Sequence, residues 1–473
     1  MSQNSYDKPS KVLGLVIVDG VGFKNFVLSD FLNQATGGFD RIIIYSGLPA
    51  SAFDVETNVS LEIVELTVFI ESRTAWFWRK MKEVAHLQQH KKNFFGIAAN
   101  LDKNRPKEIS KRAKLISLIF KITSICNSEK WIDFYNKRQI NAISKNPVHS
   151  GYKKMLSDHN CDLLFFTHQR PPYLAVLDDA AKKLGIKTCS FIFSWDNLPS
   201  KGRMAAPFDS FLVWSDLMKE ELHYFYPETK NKPVKVVGTP QFEPYVMNQY
   251  HSTKKEFSER FNIKQNLKTI CYSCGDISTS QNDGLYIETI ATSILYKEIP
   301  EVNLIVRTSP AENGSRFSEI KEKFPFIIWN FPQWELTRED HPEPWSQRVP
   351  FGQDVKDLRS LLEFCDLNIN MCSTMSLDFM IFDKPVINPV FGNAENRIYN
   401  DQKYLQYAHY ERVVKSGAVS IVKNKKELIE SIKFSLENPQ ARIDQQRALL
   451  KLQIGKPLEG TSYRIVQALK EIS

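Results

Sequence analysis

The sequence predicts a doubly wound α/β fold built twice along the chain, and three observations predict it. Short β-branched and aromatic runs alternate with helical stretches, the pattern of parallel sheets joined by crossover helices. The alternation comes as two series separated by a polar junction. The length of 473 residues exceeds what one ordinary core organises and suits two domains.

The first series places strands at 12–18, 41–45, 162–166, 188–193 and 210–214, with a further candidate at 61–68. Each is a short run rich in Val, Ile, Leu and Phe, and the spacings leave room for helices at 173–184 and 216–225. A short strand at 234–237 leads into Gly238-Thr-Pro240, a turn by its glycine and proline. Polar, charged sequence follows, so the N-terminal domain is read as 1–245 and the C-terminal domain as 246–473. The second series has strands at 269–273, 302–307, 326–329, 366–371, 385–388 and 419–422. Helical patterns separate them at 286–295, 353–364, 375–382 and 425–437. The last helix, after Gly460, is expected to pack back on the first domain. Arg105–Pro106 and Lys145-Asn-Pro147 bracket a helical insertion at about 75–150. The stretch 333–350, rich in Pro, Trp and charge, reads as a long loop.

Composition narrows the class. Hydrophobic residues make up 42% and charged residues 25%, values that exclude a disordered chain. The net charge of +8 is uneven: between Arg79 and Lys145 there are 16 Lys/Arg against 5 Asp/Glu. This basic insertion favours an anionic partner such as phospholipid headgroups, or else forms a solvated helical face. Trp76-Phe-Trp78-Arg79-Lys80 adds the aromatic and cationic mixture of a membrane interface, or of a packed helix with snorkelling lysines. No stretch approaches the ~20 apolar residues of a transmembrane helix, and the polar start is not a secretory signal. A cytoplasmic protein is expected, peripheral on the inner face of the plasma membrane. No nucleic-acid module is visible. Seven cysteines are scattered, and Cys271-Tyr-Ser-Cys274 lacks the second pair or histidine of a zinc site, so no metal is expected there.

In open α/β sheets, ligands bind beyond the carboxyl ends of the strands. Three strand ends of the second domain carry anion-binding chemistry. Asp366-Leu-Asn-Ile-Asn-Met-Cys-Ser-Thr-Met-Ser-Leu-Asp378 runs from a strand into a helix at Ser373 and Thr374. The hydroxyls and N–H groups of that first turn suit a phosphate, and Asp378 suits ribose hydroxyls. The bland reading is an N-cap with an acid compensating the helix dipole. Ser273 and Gly275 close another strand with small residues that permit close backbone approach. Arg307 ends a third with a guanidinium suited to phosphate or to an ion pair. In the first domain, Asp19, His168 and Asp196 follow strands and are candidates for a general base. Their ordinary roles would be turn former, loop residue and cap. Val18-Asp-Gly-Val-Gly22 lacks the third glycine of a dinucleotide fingerprint. His409, Tyr410 and Arg397 are a weaker candidate lip on the donor side.

The strand–Ser–Thr–helix–acid pattern, followed by Lys384-Pro-Val-Ile387, resembles the donor site of the GT-B glycosyltransferase superfamily. Ser194-Trp-Asp-Asn-Leu-Pro-Ser-Lys-Gly202 and Gly238-Thr-Pro240 resemble bacterial surface-polysaccharide transferases and the CDP-glycerol glycerophosphotransferase-like group. The resemblance covers most of residues 160–425. It implies two Rossmann-like domains facing across a cleft, with the nucleotide donor on the C-terminal one. The glycerophosphotransferase-like group typically carries His where this chain has Ser309, which favours glycosyl transfer over glycerophosphate transfer. The expected activity is transfer of a sugar from a nucleotide-activated donor to a glycan or lipid-linked acceptor in surface-polysaccharide assembly. No Asp-x-Asp occurs, in keeping with a metal-independent site with no cofactor. The alternatives are a CDP-activated polyol-phosphate transferase and a non-catalytic binding or scaffold subunit.

Overall fold

The structure is a computed structural model that describes residues 11–54, 61–339, 341 and 343–473. The polar start before Lys11 lies outside the described residues. The chain divides into two compact units, one drawn from Met1–Glu243, Thr337–Pro342 and Lys456–Ser473, the other from Pro244–Leu336 and Glu343–Gly455.

The first unit holds a seven-stranded sheet of β1 (Val12–Ile17), β2 (Arg41–Ser46), β3 (Glu62–Glu65), β4 (Leu163–Phe166), β5 (Lys187–Phe191), β6 (Ser210–Val213) and β7 (Val234–Val236). Their order is β3-β2-β1-β4-β5-β6-β7, and every pairing is parallel. β1 and β4 are buried along their whole length, as expected of central strands covered on both faces. β3 is only half-buried at the edge, which is why its candidate span of 61–68 shrinks to four residues. The helix Thr461–Ile472 belongs to this unit: its Val466 and Lys470 side chains leave no room for a Cβ at Gly38. Between β3 and β4 lie five helices: Arg73–His90, Phe95–Lys103, Lys111–Ile125, Glu129–Ile143 and Pro147–His159.

The second unit holds β8 (Thr269–Ser273), β9 (Asn303–Arg307), β10 (Ile328–Asn330), β13 (Leu367–Asn370), β14 (Val386–Pro389) and β15 (Ser420–Val422). Between β10 and β13 come two short strands, β11 (Trp334–Leu336) and β12 (Arg348–Pro350). The main sheet runs β10-β9-β8-β13-β14-β15, all parallel. Its core is aliphatic and aromatic, with Ile270, Tyr272, Ile287, Val306, Ile369 and Ile387 at most 1% exposed.

One expectation is corrected here. The stretch 333–350 is not an unstructured loop, because β11 and β12 pair antiparallel, Trp334 opposite Pro350 and Leu336 opposite Arg348. Their anchor is Asp354, which accepts from the Gln333 backbone N–H at 3.1 Å and the Trp334 indole at 2.9 Å. Such long-range pairing leaves no periodic trace in three-residue strands. Asp340 and Pro342 within this stretch lie outside the described residues.

Candidate functional site

Each sheet has a topological switch point, where successive strands begin to be added on the opposite side. In the first unit it lies between β1 and β4; in the second, between β8 and β13. Ligands of open α/β sheets collect at the carboxyl ends of those strands. Most of the residues singled out from the sequence stand at these two places.

In the first unit, Asp19 follows β1 and His168 follows β4. The two strands run in register, Val16 opposite Phe166, so the residues beyond them meet. Asp19 caps the short helix Gly20–Phe26, its Oδ1 accepting from the Gly22 N–H at 2.7 Å. Its Oδ2 lies 2.9 Å from His168 Nδ1. A carboxylate oxygen only accepts, so Nδ1 carries a proton, and in the neutral ring the lone pair is on Nε2. Among the described residues no group bonds to Nε2. His168 is further held by stacking on Phe193, with ring centroids 4.0 Å apart. The neighbouring Gln169 ties the tips of β4 and β5 together: it donates to Asn197 Oδ1 at 2.8 Å and accepts from the Phe193 N–H at 3.2 Å. Gly22 belongs to this construction, since a Cβ there would come 3.0 Å from Thr167 Oγ1. A carboxylate orienting a histidine with one free nitrogen is the arrangement of a general base.

Asp196 does not join this pair. It is half-buried, forms an ion pair with Lys201 at 3.2 Å and accepts from Asn197 Nδ2 at 3.0 Å. The structure therefore separates Asp19 and His168, which meet, from Asp196, which has partners of its own.

In the second unit the switch point is framed by Ser273 and Asn370, paired in register at the ends of β8 and β13. Beyond β8 the chain turns through Cys274 and Gly275; beyond β13 it turns through Met371 and Cys372 into Ser373 and Thr374. Cys372 adopts a left-handed φ of 50°, uncommon for a residue with a side chain. Gly275, Ser373 and Thr374 are all half-exposed, whereas Ser273 is buried.

A buried amide network beneath these turns fixes their shape. Asn368 Nδ2 donates to Ser273 Oγ at 2.9 Å and Asn370 Nδ2 to Asn368 Oδ1 at 2.7 Å. Asn388 Nδ2 donates to the Asn370 carbonyl at 2.7 Å, and Asn370 Oδ1 accepts from the Ser373 N–H at 2.9 Å. Tyr410 completes the set: its hydroxyl lies 2.8 Å from Asn388 Oδ1 and 2.9 Å from Ser376 Oγ. Fully satisfied polar networks of this kind hold one backbone geometry. Sequence reading missed them, although asparagines alternating through an apolar strand at 368 and 370 carried the signal. Tyr410, expected on a donor-side lip, is instead 1% exposed within this network.

The network also corrects the picture of a bare helix end. The Ser373 N–H is taken by Asn370, and the Met375 N–H donates to Ser373 Oγ at 3.2 Å. What the turn offers a ligand is the accessible face of Ser373 and Thr374 more than a row of unsatisfied N–H groups. Asp378 is 3% exposed, and the Tyr245 hydroxyl donates to its Oδ1.

Arg307 is corrected more sharply. It does end β9, but it is 6% exposed and takes the ion-pair alternative. Its NH2 nitrogen reaches Asp354 Oδ1 and Oδ2 at 3.0 and 2.9 Å, and its NH1 nitrogen donates to Asn330 Oδ1 at 2.5 Å. Burial of a guanidinium demands such partners, so Arg307 braces the fold.

Gly275 is held from below by Asp283, which accepts from the Gly275 N–H at 3.0 Å, Tyr272 Oη at 2.7 Å, Ser280 Oγ at 2.7 Å and Arg316 at 2.9 Å. Burial pushes its carboxyl up to about 6, while Ser280, Tyr272 and Arg316 pull in the opposite direction. The folded state thus holds this proton more tightly than the unfolded chain, whose carboxyl titrates near 3.8. That contribution to stability is fully present below the unfolded value and is lost as pH rises through about 6. Between pH ~4 and ~7 it costs the folded chain up to about 3 kcal/mol. Asp283→Asn should flatten this part of the pH–stability curve in urea titrations. An unchanged slope would contradict the assignment.

No protein-family model matches the chain, and no curated protein matches it. Solved structures do share its fold. A UDP-GlcNAc 2-epimerase from Methanocaldococcus jannaschii is 12% identical with a TM-score of 0.52, the match covering 97% of this chain and 99% of that one. A glycosyltransferase from Rickettsia africae ESF-5 is 12% identical with a TM-score of 0.51, covering 98% and 99%. MnaA of S. aureus, solved with UDP, is 11% identical with a TM-score of 0.51, covering 98% and 96%. Similarity at this level speaks for architecture. The chain has a GT-B type of fold, built from two Rossmann-like α/β units.

Proposed function

We propose that the chain is a glycosyltransferase that takes a nucleotide-activated sugar in its second unit and activates an acceptor hydroxyl with His168 in its first. The observation that carries this reading is the Asp19–His168 pair at the switch point of the first sheet. The imidazole is oriented by a carboxylate at the carboxyl ends of the central strands, and its second nitrogen has no partner among the described residues, as a base requires. An acceptor hydroxyl must lose its proton during attack, and His168 Nε2 has the lone pair to take it. Asp19 is a positioning residue: it fixes the tautomer and stabilises the imidazolium that forms. In the second unit, Gly275, Ser373 and Thr374 flank the other switch point, where a nucleotide diphosphate would lie against small residues and hydroxyls. The proposed chemistry draws on oriented side chains and calls for no cofactor or resident metal at the reacting centre. The fold is shared with a protein described as a glycosyltransferase and with UDP-sugar epimerases, which supports a nucleotide-sugar donor.

The test is a thermal-shift screen against UDP-, CDP-, GDP-, dTDP- and CMP-linked sugars, followed by product analysis with the compound that binds. Stabilisation by one nucleotide class, and nucleotide release that depends on an acceptor, are the expected results. Silence across the panel would overturn the proposal in favour of a binding or scaffold role. Release of an epimerised sugar without acceptor would replace transferase with epimerase.

The acceptor is proposed to be presented at an anionic membrane surface. The helices Lys111–Ile125 and Glu129–Ile143 carry exposed Leu118, Ile125, Trp131 and Phe134 among exposed Lys111, Lys114, Lys121, Lys130 and Lys137. Apolar groups interleaved with lysine suit the headgroup region. Trp76 and Trp78 do not take part as the sequence proposed. Both are half-buried, with Arg112 over the first ring at 5.2 Å and Arg138 over the second at 5.4 Å. Among the described residues no helix is long and apolar enough to cross a membrane. Flotation with anionic but not with neutral liposomes is expected, and flotation indifferent to lipid charge would remove the claim.

A further inference from the structure

The helical insertion of the first unit contains a second concentration of chemistry, apart from either switch point. His86 and His90 stand one turn apart on the same face of the helix Arg73–His90, with ring centroids 4.8 Å apart. Glu129 is the first residue of the helix Glu129–Ile143, which packs against it. One donor atom from each of the three residues lies within 4.8 Å of the other two.

The histidines are poorly explained as core residues. His86 is 0% exposed and His90 7%, yet both ring nitrogens of His86 and Nε2 of His90 have no hydrogen-bond partner. Buried polar atoms are almost always paired, because an unmet one forfeits its hydration for nothing. Their neighbours are mostly rings: His86 stacks on Tyr226 at 5.4 Å, and His90 meets the edge of Phe225 at 5.0 Å. These contacts hold the imidazoles without using their lone pairs.

We propose that His86, His90 and Glu129 form a binding site for a divalent transition-metal ion of the Zn2+ class. Two imidazoles and a carboxylate are the ligand set such ions take, with a further position left for water. An ion would draw the three donors, now within 4.8 Å of one another, to the ~2.0–2.2 Å that zinc requires.

The charges around the site are compatible with an ion. Arg203 pairs with Glu129 at 2.9 Å and with Glu228 at 2.8 Å, so Glu228 can keep the guanidinium when Glu129 turns to the metal. Lys82, also nearby, is occupied by the Ala205 carbonyl at 2.7 Å and Asn136 at 3.0 Å. Gln89, its amide oriented to satisfy its neighbours, donates to Glu129 Oε1 at 3.0 Å and supplies the outer hydrogen bond that orients a ligating carboxylate. Glu129 also lines a cavity of about 350 Å3. The bound ion clips the end of one helix to the start of another. It thereby closes off the intervening segment 91–128, which includes the helix Lys111–Ile125 of the proposed membrane face.

The experiment uses the full chain, stripped with a chelator and titrated with Co2+ while visible absorption is recorded. Binding of a single Co2+ per chain, with ligand-field bands that Zn2+ abolishes, is expected. Glu129→Gln, at a half-buried position, and His90→Gln should each weaken binding by about 100-fold or more, given that outer-shell changes alone cost about 10- to 100-fold. His223→Gln, outside the cluster, should bind as the unaltered chain does. Circular dichroism establishes that each variant is folded. Failure of the unaltered chain to give ligand-field bands would overturn the proposal. So would undiminished binding by folded Glu129→Gln and His90→Gln.

Discussion

Replacing His168 with Ala is expected to lower kcat by about 10²–10⁴-fold, the usual contribution of a positioned general base, while nucleotide affinity stays unchanged. The separation follows from where the parts sit. His168 belongs to the first unit, and the proposed nucleotide contacts belong to the second. His168→Ala also removes the stack on Phe193 and one acceptor bond of Asp19, but leaves the Asp19 cap on Gly22 intact. The fold should therefore survive. Asp19→Asn is the companion experiment. An asparagine whose oxygen caps Gly22 turns an amide N–H toward the ring, which favours the proton on Nε2 and removes the lone pair needed there. Its kcat should fall nearly as far as that of His168→Ala, and the two losses should not add, because the residues act as a unit. Turnover that persists in His168→Ala, measured with the donor found in the screen, would remove the base from the mechanism.

The second large effect is on stability. Arg307→Met is expected to cost about 3–5 kcal/mol of unfolding free energy, the range for breaking one side of a buried ion pair. The cost arises at Asp354, which is 3% exposed and would be left without the guanidinium that pairs with it. Asp354 also anchors Gln333 and Trp334, so β11 and β12 should loosen together with β9. Exchanging both partners for apolar residues of similar volume should recover only part of the loss, because the Gln333 N–H and the Trp334 indole then lose their acceptor. Urea unfolding of Arg307→Met and of the double variant measures both. A stable Arg307→Met protein that binds nucleotide weakly would instead restore Arg307 as a phosphate ligand.

Arg307 illustrates what sequence could and could not deliver. Its place at the end of a strand was legible, because the run 302–307 is apolar and ends in a charge. The direction of its side chain was not, since Asp354 lies 47 residues away and pairs with it only through the tertiary fold. The same distinction holds elsewhere. β1, β4, β8 and β13 were evident as buried apolar runs, and the residues just beyond them could be named as candidates. Asp19 and His168 are 149 residues apart, so their meeting depends on β1 and β4 being neighbours across the switch point. Strand order is not written in local periodicity. β11 and β12 were missed for a related reason: three-residue strands stabilised by a distant carboxylate carry too little pattern to be recognised. His86-Leu-Gln-Gln-His90 has a ligand spacing that sequence alone could have flagged. Glu129 adds meaning only once the two helices are packed.

The nucleotide is proposed to bind the second unit at the switch point between β8 and β13. Photoaffinity labelling with an azido-nucleotide of the class that stabilises the protein tests it most directly, with the labelled peptides identified by mass spectrometry. Adducts are expected in the turns at 274–276 and 371–374, and excess unlabelled nucleotide should suppress them. Protectable adducts confined to the first unit, with those two turns unlabelled, would contradict it.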